Sequence, residues 1–359
     1  MRKHRVTAML NVALIGFGLS GRYLQAPFFE ANPNFNLKTI VSNNQNPKDF
    51  FPFVEVARSL DEVLADSEID LVSICSPNAT HFEYAKRALL ADKHVLVEKP
   101  FTATVEEAEE LISLAKKQGK VLSVFQNRRF DSDFLTVKKV IEGNLLGEIH
   151  SFEIHFNRFK PVLNPKKWKE TVGAGSGIIY DLGSHIIDQV IALFGVPKAV
   201  WGQTFTQREN SEIDDAFDIK LNYGKLKVTL KSSLLVREDT PRYIIHGTKG
   251  SFIKHGIDEQ EDHLKMGMKP TDAGFGIESA KNSGTLNTGI NGLTIKGTVE
   301  TEQGNWRLLF QNLHDAIVDG KELLIKPEEV LEQIKIIETV LSITESRRVQ
   351  HAVSQNIIV

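Results

Sequence analysis

Three groups of residues in this sequence have the types and spacing to do chemistry. The first is Val95-Leu96-Val97-Glu98-Lys99-Pro100. Its apolar half suits an interior parallel strand, and Pro100 cannot continue the ladder. Glu98 and Lys99 then fall at the strand's carboxyl end, where ligands bind in open α/β sheets. A lysine there points at a cofactor or a substrate. On position alone, a solvated Glu–Lys pair is the commoner explanation. The second group is Asp181 and His185, which follow the glycine-rich run Gly173-Ala-Gly175-Ser-Gly177. If the helix has begun by Asp181, the two lie one turn apart on one face. An aspartate beside a histidine fixes its tautomer and raises its basicity, which suits general acid–base work. Without Lys99, an N-capping Asp181 and a packed His185 account for the same pattern. A metal site with Asp188 lacks a further ligand at suitable spacing. The third group is Gly16-Phe17-Gly18-Leu19-Ser20-Gly21.

These residues need elements to position them. Leu10 to Ile15 reads as a strand, and a helical stretch runs from Arg22 toward Ala31, so G-x-G-x-x-G stands after a strand and opens a helix. Gly16 allows the tight turn, Gly18 lets backbone approach a pyrophosphate, and Gly21 lets helix and strand pack closely. The helix N-terminus offers N–H groups and a positive dipole end to the phosphates. Leu37 to Val41 is the second strand. It ends in Ser42-Asn43-Asn44-Gln45-Asn46, without the acid that would bind the ribose 2′-hydroxyl of NAD. The missing carboxylate permits NADP, and Ser42 and Asn43 can donate to its 2′-phosphate, though no arginine stands in that run. NADP is therefore the preferred cofactor, with NAD the alternative. Leu71 to Cys75 is a further strand, with Ser76, Pro77 and Asn78 at its carboxyl end and His81 in the first turn of the helix that follows. Strand–helix alternation with short links continues to about residue 126, implying a doubly wound parallel sheet of the Rossmann type.

The pattern then changes. Gln126-Asn127-Arg128-Arg129-Phe130-Asp131 offers two arginines at a strand end. They suit an anionic or hydroxyl-rich ligand or, equally, salt bridges to acids such as Asp131 and Asp133. Strands are expected over 149–159, 198–206, 216–223, 225–235, 241–246 and 251–254, with Tyr223-Gly224-Lys225 a hairpin signal. Consecutive strands with tight links predict an α+β domain with a large, mostly antiparallel open sheet. Residues 9–126 are expected to form the dinucleotide domain and 127–347 the substrate and oligomerisation domain. Residues 1–8 read as an extension or tag remnant. The stretch 258–302 is rich in Gly, Lys, Asp and Thr, has little periodicity and reads as a long insertion or loop. Two helices follow, over 306–319 and 327–347, able to pack on either domain.

Of the 359 residues, 41% are hydrophobic and 25% charged, and the net charge is −3. That balance holds no basic surplus for nucleic acid, and no apolar run has membrane-spanning length. The single cysteine, Cys75, excludes an intrachain disulfide and zinc sites built on paired cysteines, and reads as a small core residue. Together these features favour the cytosol. A sheet face left exposed predicts a homodimer or homotetramer through the C-terminal sheet.

The three groups, in this order and setting, resemble the glucose–fructose oxidoreductase / inositol dehydrogenase / rhizopine-catabolism (Gfo/Idh/MocA) family of NAD(P)-dependent oxidoreductases, from about Leu10 to Arg347. The resemblance implies a dinucleotide domain followed by an open sheet with helices on one face. It implies catalytic roles for Lys99, Asp181 and His185. It implies cofactor contacts by Gly16, Phe17, Gly18, Leu19, Gly21, Ser42, Ser76, Pro77, Asn78, His81 and Glu98, with Lys99 and Asn43 beside them. Asn127, Arg128, Asn157, Arg158 and Trp168 are candidates for the substrate pocket; a tryptophan face can stack on a sugar ring or belong to the core. The implied reaction is hydride transfer between nicotinamide and a secondary alcohol or ketone of a cyclic polyol or sugar, without a metal. Asn127-Arg-Arg-Phe-Asp131, the 181–188 run, Pro241-Arg-Tyr-Ile-Ile-His-Gly247 and Gly256-Ile-Asp-Glu-Gln-Glu-Asp262 resemble bacterial NADP-dependent scyllo-inositol dehydrogenases. Asn43 stands where some NADP-using relatives carry an arginine. A non-catalytic sensor of the same fold and a dehydrogenase for an acyclic or anionic sugar are the alternatives.

Overall fold

The computed structural model describes residues 9–43, 45–167 and 170–356. The expected extension at 1–8 and Trp168 lie outside them. The chain folds as two compact units. One takes the chain through Phe130 with Glu259–Gly276 and Asn305–Leu331; the other takes Asp131–Asp258, Ile277–Gly304 and the chain from Glu332 onward.

In the first unit, strand β1 (Leu10–Ile15) leads through a π-turn at Ser20–Gln25 into α1 (Ala26–Ala31) and β2 (Phe35–Val41). Then come β3 (Glu55–Ala57), α2 (Leu60–Ala65), β4 (Leu71–Ile74), α3 (His81–Leu90), β5 (His94–Val97), α4 (Val105–Gln118) and β6 (Leu122–Val124). The six strands are parallel, in the order β3-β2-β1-β4-β5-β6, the doubly wound Rossmann arrangement. β4 is buried throughout, as are Val95, Leu96 and Val97, as expected of strands covered on both faces. Local signals set the helix ends: Ser59 and Thr104 accept N–H bonds as N-caps of α2 and α4, and Gly119 ends α4 in the left-handed region.

The second unit begins with α5 (Ser132–Glu142) and β7 (Ile149–His155). A π-turn at Ile179–Gly183 opens α6 (Ser184–Phe194), and β8 (Ala199–Phe205), β9 (Ala216–Asn222), β10 (Lys227–Ser233), β11 (Tyr243–Gly247) and β12 (Gly250–Lys254) follow. After α7 (Gln260–Lys265), which belongs to the first unit, β13 (Gly284–Ile290) and β14 (Leu293–Val299) complete an eight-stranded sheet. Its order is β14-β13-β12-β11-β7-β10-β9-β8, with only β7 and β10 parallel. One face carries the core: Phe152, Ile154, Ile219, Leu230, Tyr243 and Phe252 from the strands meet Ile179, Leu182, Ile186, Ile187 and Val190 around α6. Both expected folds are therefore present.

The stretch 258–302 is not a loop. It supplies α7 and the β13–β14 hairpin, whose two-residue turn Asn291-Gly292 has positive φ at both positions (52° and 81°). Asn-Gly is the preferred pair for such a turn; the polar composition around it obscured the signal. Finally come α8 (Arg307–Asp319) and α9 (Pro327–Asn356). In the first unit, Phe28 stacks on Phe310 at 4.9 Å and meets Phe275 and Trp306 at 6.0 Å, so segments distant in sequence close one aromatic core.

Candidate active site

The glycine loop follows from what a side chain would meet at each position. Gly16 has φ +99°, and a Cβ there would lie 2.8 Å from the Cys75 carbonyl oxygen at the end of β4. At Gly21 a Cβ would fall 2.1 Å from the Gly16 oxygen, so strand and helix touch through backbone alone. Gly18 differs: a Cβ there would meet nothing within 4 Å. The loop is closed at its two ends and open in the middle, a cradle that fits a pyrophosphate. Phe17 is buried against the rings of Phe50 and Phe51, while Leu19 is 55% exposed.

Glu98 is buried beneath this loop. The Ser20 hydroxyl donates to its Oε1, Gln25 Nε2 reaches the same oxygen at 3.4 Å, and the Lys99 N–H donates to Oε2 at 2.6 Å. Ser73 Oγ in turn donates to Gln25 Oε1 at 2.5 Å. Burial raises the Glu98 pKa, opposed by the neighbouring Lys99 charge and these donors. Residues five apart diverge on an α-helix; the wider π-turn brings Ser20 and Gln25 to one carboxylate. This network ties the glycine loop to the backbone of Lys99, whose side chain is half-buried. His81 is 1% exposed, with Nδ1 2.7 Å from the Pro100 oxygen and Nε2 3.0 Å from the Ser76 oxygen. Its ring thus joins the turn after β4 to the turn after β5, and burial holds its pKa below the usual histidine value. Ser76 shares a 2.6 Å hydrogen bond with Thr80, Pro77 is exposed and Asn78 half-buried. Burial, and then Glu98, push the Cys75 thiol well above its ordinary pKa, so it holds little thiolate.

At the end of β2, Ser42 is buried, and its hydroxyl donates to the Gln45 carbonyl at 2.7 Å. That proton is committed to the turn. Asn43 is exposed. An arginine does reach this point, from β3 rather than β2: Arg58 NH1 donates to the Ser42 oxygen at 2.7 Å.

In the second unit the helix has begun by Asp181, as a shared face with His185 requires, but in π form. Asp181 is exposed and His185 buried. The residue that holds this turn is Asp214: its Oδ2 accepts the Ile179 N–H and its backbone oxygen the Ile178 N–H, each at 3.0 Å. A Cβ on Gly177, where φ is +93°, would lie 1.9 Å from Asp214 Oδ1. Burial raises the Asp214 pKa to about 6. Nothing in the linear sequence singles Asp214 out.

The remaining candidates fall into two groups. Asn127 and Arg128 are buried, and Arg128 pairs with Glu261 at 3.1 Å. Arg129 pairs with Glu329 at 2.6 Å and donates to the Leu324 oxygen at 3.1 Å. Both arginines thus have carboxylate partners far along the chain. Asn157 bridges Thr240 and the Ser233 N–H, and Arg158 lies over the Phe156 ring at 5.3 Å. Among the described residues no group of three His, Cys, Asp or Glu side chains is placed to hold a metal ion, and no helix is long and apolar enough to cross a membrane.

The Rossmann strand order and the open-centred glycine loop define a dinucleotide-binding protein with an appended open-sheet unit. The chain belongs to the Gfo/Idh/MocA oxidoreductase family. Residues 10–126 match the family's NAD-binding Rossmann fold and 138–351 its C-terminal alpha/beta domain. It is 38% identical over 97% of its length to scyllo-inositol 2-dehydrogenase (NADP(+)) IolW of Bacillus subtilis, 97% of which is covered. An uncharacterized oxidoreductase of Schizosaccharomyces pombe is 41% identical, with 94% of this chain and 98% of the relative covered. A solved structure, the oxidoreductase yvaA of Bacillus subtilis, superposes with TM-score 0.93 at 37% identity, covering 96% of this chain and 98% of that one. The protein is thus an oxidoreductase with an NAD-binding Rossmann domain.

Proposed function

We propose that the protein is an NADP-dependent dehydrogenase acting on a secondary alcohol, or the corresponding ketone, of a cyclic polyol or sugar. The observation that carries this is near full-length similarity to an NADP-dependent scyllo-inositol 2-dehydrogenase in a chain that carries Lys99, Asp181 and His185. When bound, the cofactor supplies the hydride acceptor or donor at its nicotinamide. In oxidation His185 takes the hydroxyl proton, oriented and made more basic by Asp181. Lys99 stabilises the developing alkoxide with its positive charge. Gly16, Phe17, Gly18, Leu19 and Gly21 hold the dinucleotide, with Ser76, Pro77, Asn78 and the Glu98–Lys99 backbone beside it. His81 serves by donating its single N–H to one of the Ser76 and Pro100 carbonyls while its ring packs against the other. The pairing of Arg128 and Arg129 with carboxylates supports a neutral polyol over an anionic substrate. We further propose a cytosolic homodimer or homotetramer joined through the C-terminal sheet, one edge strand of which, β14, exposes Leu293 and Ile295.

The test follows NADPH absorbance during reduction of inososes and keto-sugars, with NADH in parallel. Consumption of NADPH by a cyclic ketone is expected; turnover confined to acyclic or anionic carbonyls overturns the substrate class. Lys99→Ala should retain NADPH binding while kcat falls about a thousandfold. Near-normal turnover would remove Lys99 from the reaction.

A further inference from the structure

The end of β2 presents a conflict. NADP use asks for a cation near the ribose 2′-oxygen, yet the run after β2 carries none before Lys48, and the Ser42 proton is committed to Gln45. The parallel register resolves it. β2 and β3 pair Thr39 with Glu55, Ile40 with Val56 and Val41 with Ala57. The Ser42 N–H extends the ladder to the Ala57 oxygen at 3.2 Å. One step on, Ser42 stands opposite Arg58. Arginine is thus absent from the end of the second strand but present at the same level just past the third.

The geometry points to Arg58 as the residue that receives the 2′-phosphate of NADP, an inference that rests on the NADP reading above. Four features argue for it. One guanidinium nitrogen, NH1, donates to the Ser42 oxygen at 2.7 Å, which holds the group at the strand end while Nε and NH2 remain to donate. No carboxylate lies within salt-bridge distance of that guanidinium among the described residues, whereas Arg128, Arg129, Arg208 and Arg242 each have one. The Arg58 backbone is itself fixed: its N–H donates to both carboxylate oxygens of Glu62 at 3.3 Å, while Ser59 Oγ accepts the Glu62 N–H. These bonds hold the Glu62 carboxylate on the Arg58 N–H and the Ser59 hydroxyl, at the helix N-terminus. Arg58 is also exposed, so a phosphate can reach it. A second cation borders the same loop: Arg22 stacks on the ring of Phe50 at 3.5 Å, and its Nε has no hydrogen-bond partner among the described residues. A planar, permanently charged fork is the group suited to a phosphate dianion.

The experiment measures dissociation constants of NADPH, NADH and 2′,5′-ADP for the full-length wild type, Arg58→Gln and Arg58→Lys, by cofactor fluorescence and calorimetry. In the wild type NADPH should bind at least about tenfold tighter than NADH. Arg58→Gln should weaken NADPH and 2′,5′-ADP about thirtyfold, the size expected for losing a charge-assisted pair, and leave NADH within twofold, which also shows that the variant is folded. Arg58→Lys should recover part of the loss. An NADPH preference that survives Arg58→Gln overturns the assignment of Arg58 and spares the cofactor reading. A wild type that favours NADH overturns the cofactor reading itself.

Discussion

The molecule contains two versions of one device. In each unit a glycine-rich loop runs into a π-turn, and the π-turn into an α-helix: Gly16–Gly21 into Ser20–Gln25 and α1, and Gly173–Gly177 into Ile179–Gly183 and α6. Each turn is held by one acid from elsewhere in its unit. The acids bind different groups. Glu98 takes the Ser20 hydroxyl and Gln25 amide and leaves the space at Gly18 open. Asp214 takes the Ile179 N–H itself and fills the space at Gly177. An anion therefore already sits at the Gly177 end of the second loop, where it holds the turn that leads into α6. The first loop keeps its opening for one.

The strongest way to break this comparison is to add the same methyl to each loop. Gly177→Ala meets the Asp214 carboxylate at 1.9 Å with φ at +93°, and should destabilise the protein by about 3 kcal/mol. Its effect on NADPH affinity should be small. Gly18→Ala meets no protein atom within 4 Å, so its unfolding midpoint should stay near the wild type. Its NADPH dissociation constant should rise about tenfold or more, because the methyl takes space meant for the pyrophosphate. Thermal melts and cofactor titration of both variants separate the two roles. Equal cofactor loss in both would erase the distinction.

A smaller effect distinguishes the acids by pH. Asp214 has a folded pKa of about 6 against an ordinary 3.8. The folded state therefore holds its proton to higher pH than the unfolded state does, and this group costs stability as pH rises from about 4 to above 6. Asp214→Asn keeps an oxygen for the Ile179 N–H and removes that dependence. The wild type should lose about 1–2 kcal/mol relative to the variant between pH 4.5 and 7.5, less than the full shift implies because the residue is half-buried. Melting both proteins at the two pH values reads the difference. A gap that is constant, or that moves in favour of wild type at high pH, refutes the assignment.

What could be read from the sequence follows the range over which each feature is encoded. β1, β5 and the G-x-G-x-x-G turn are local patterns, and Ser59, Thr104 and Gly119 mark helix ends within a few residues. The order of the parallel strands follows from alternation and handedness. The Glu98 network is different: it joins residues up to 78 apart, and its Ser20–Gln25 spacing fits no helix with 3.6 residues per turn. Arg128 finds an acid 133 positions away, a partner that no local pattern reveals. Arg58 is intermediate, because the sequence places it after a strand while only the β2–β3 register places it opposite Ser42. The β13–β14 hairpin was legible in Asn291-Gly292, but the polar residues around it suggested a loop.

The finest test concerns how the first loop is held. Ser20→Ala removes one donor from the buried Glu98 and leaves the Gln25 amide and the Lys99 N–H. Burial already raises the pKa of that carboxyl, and a donor to its charged form opposes the shift. Losing the hydroxyl raises it further, so the variant suffers most where Glu98 is ionised. The expected cost is about 1 kcal/mol at pH 8, shrinking as pH falls and the carboxyl takes up its proton in both proteins. NADPH affinity should fall a fewfold, because Lys99 and the Gly18 opening keep their remaining anchors. A loss as large as that of Gly18→Ala would mean that the Ser20 hydroxyl contacts the cofactor directly. A cost that grows toward low pH would mean that the hydroxyl serves the protonated form of Glu98, reversing the sign of the coupling between this acid and the loop above it.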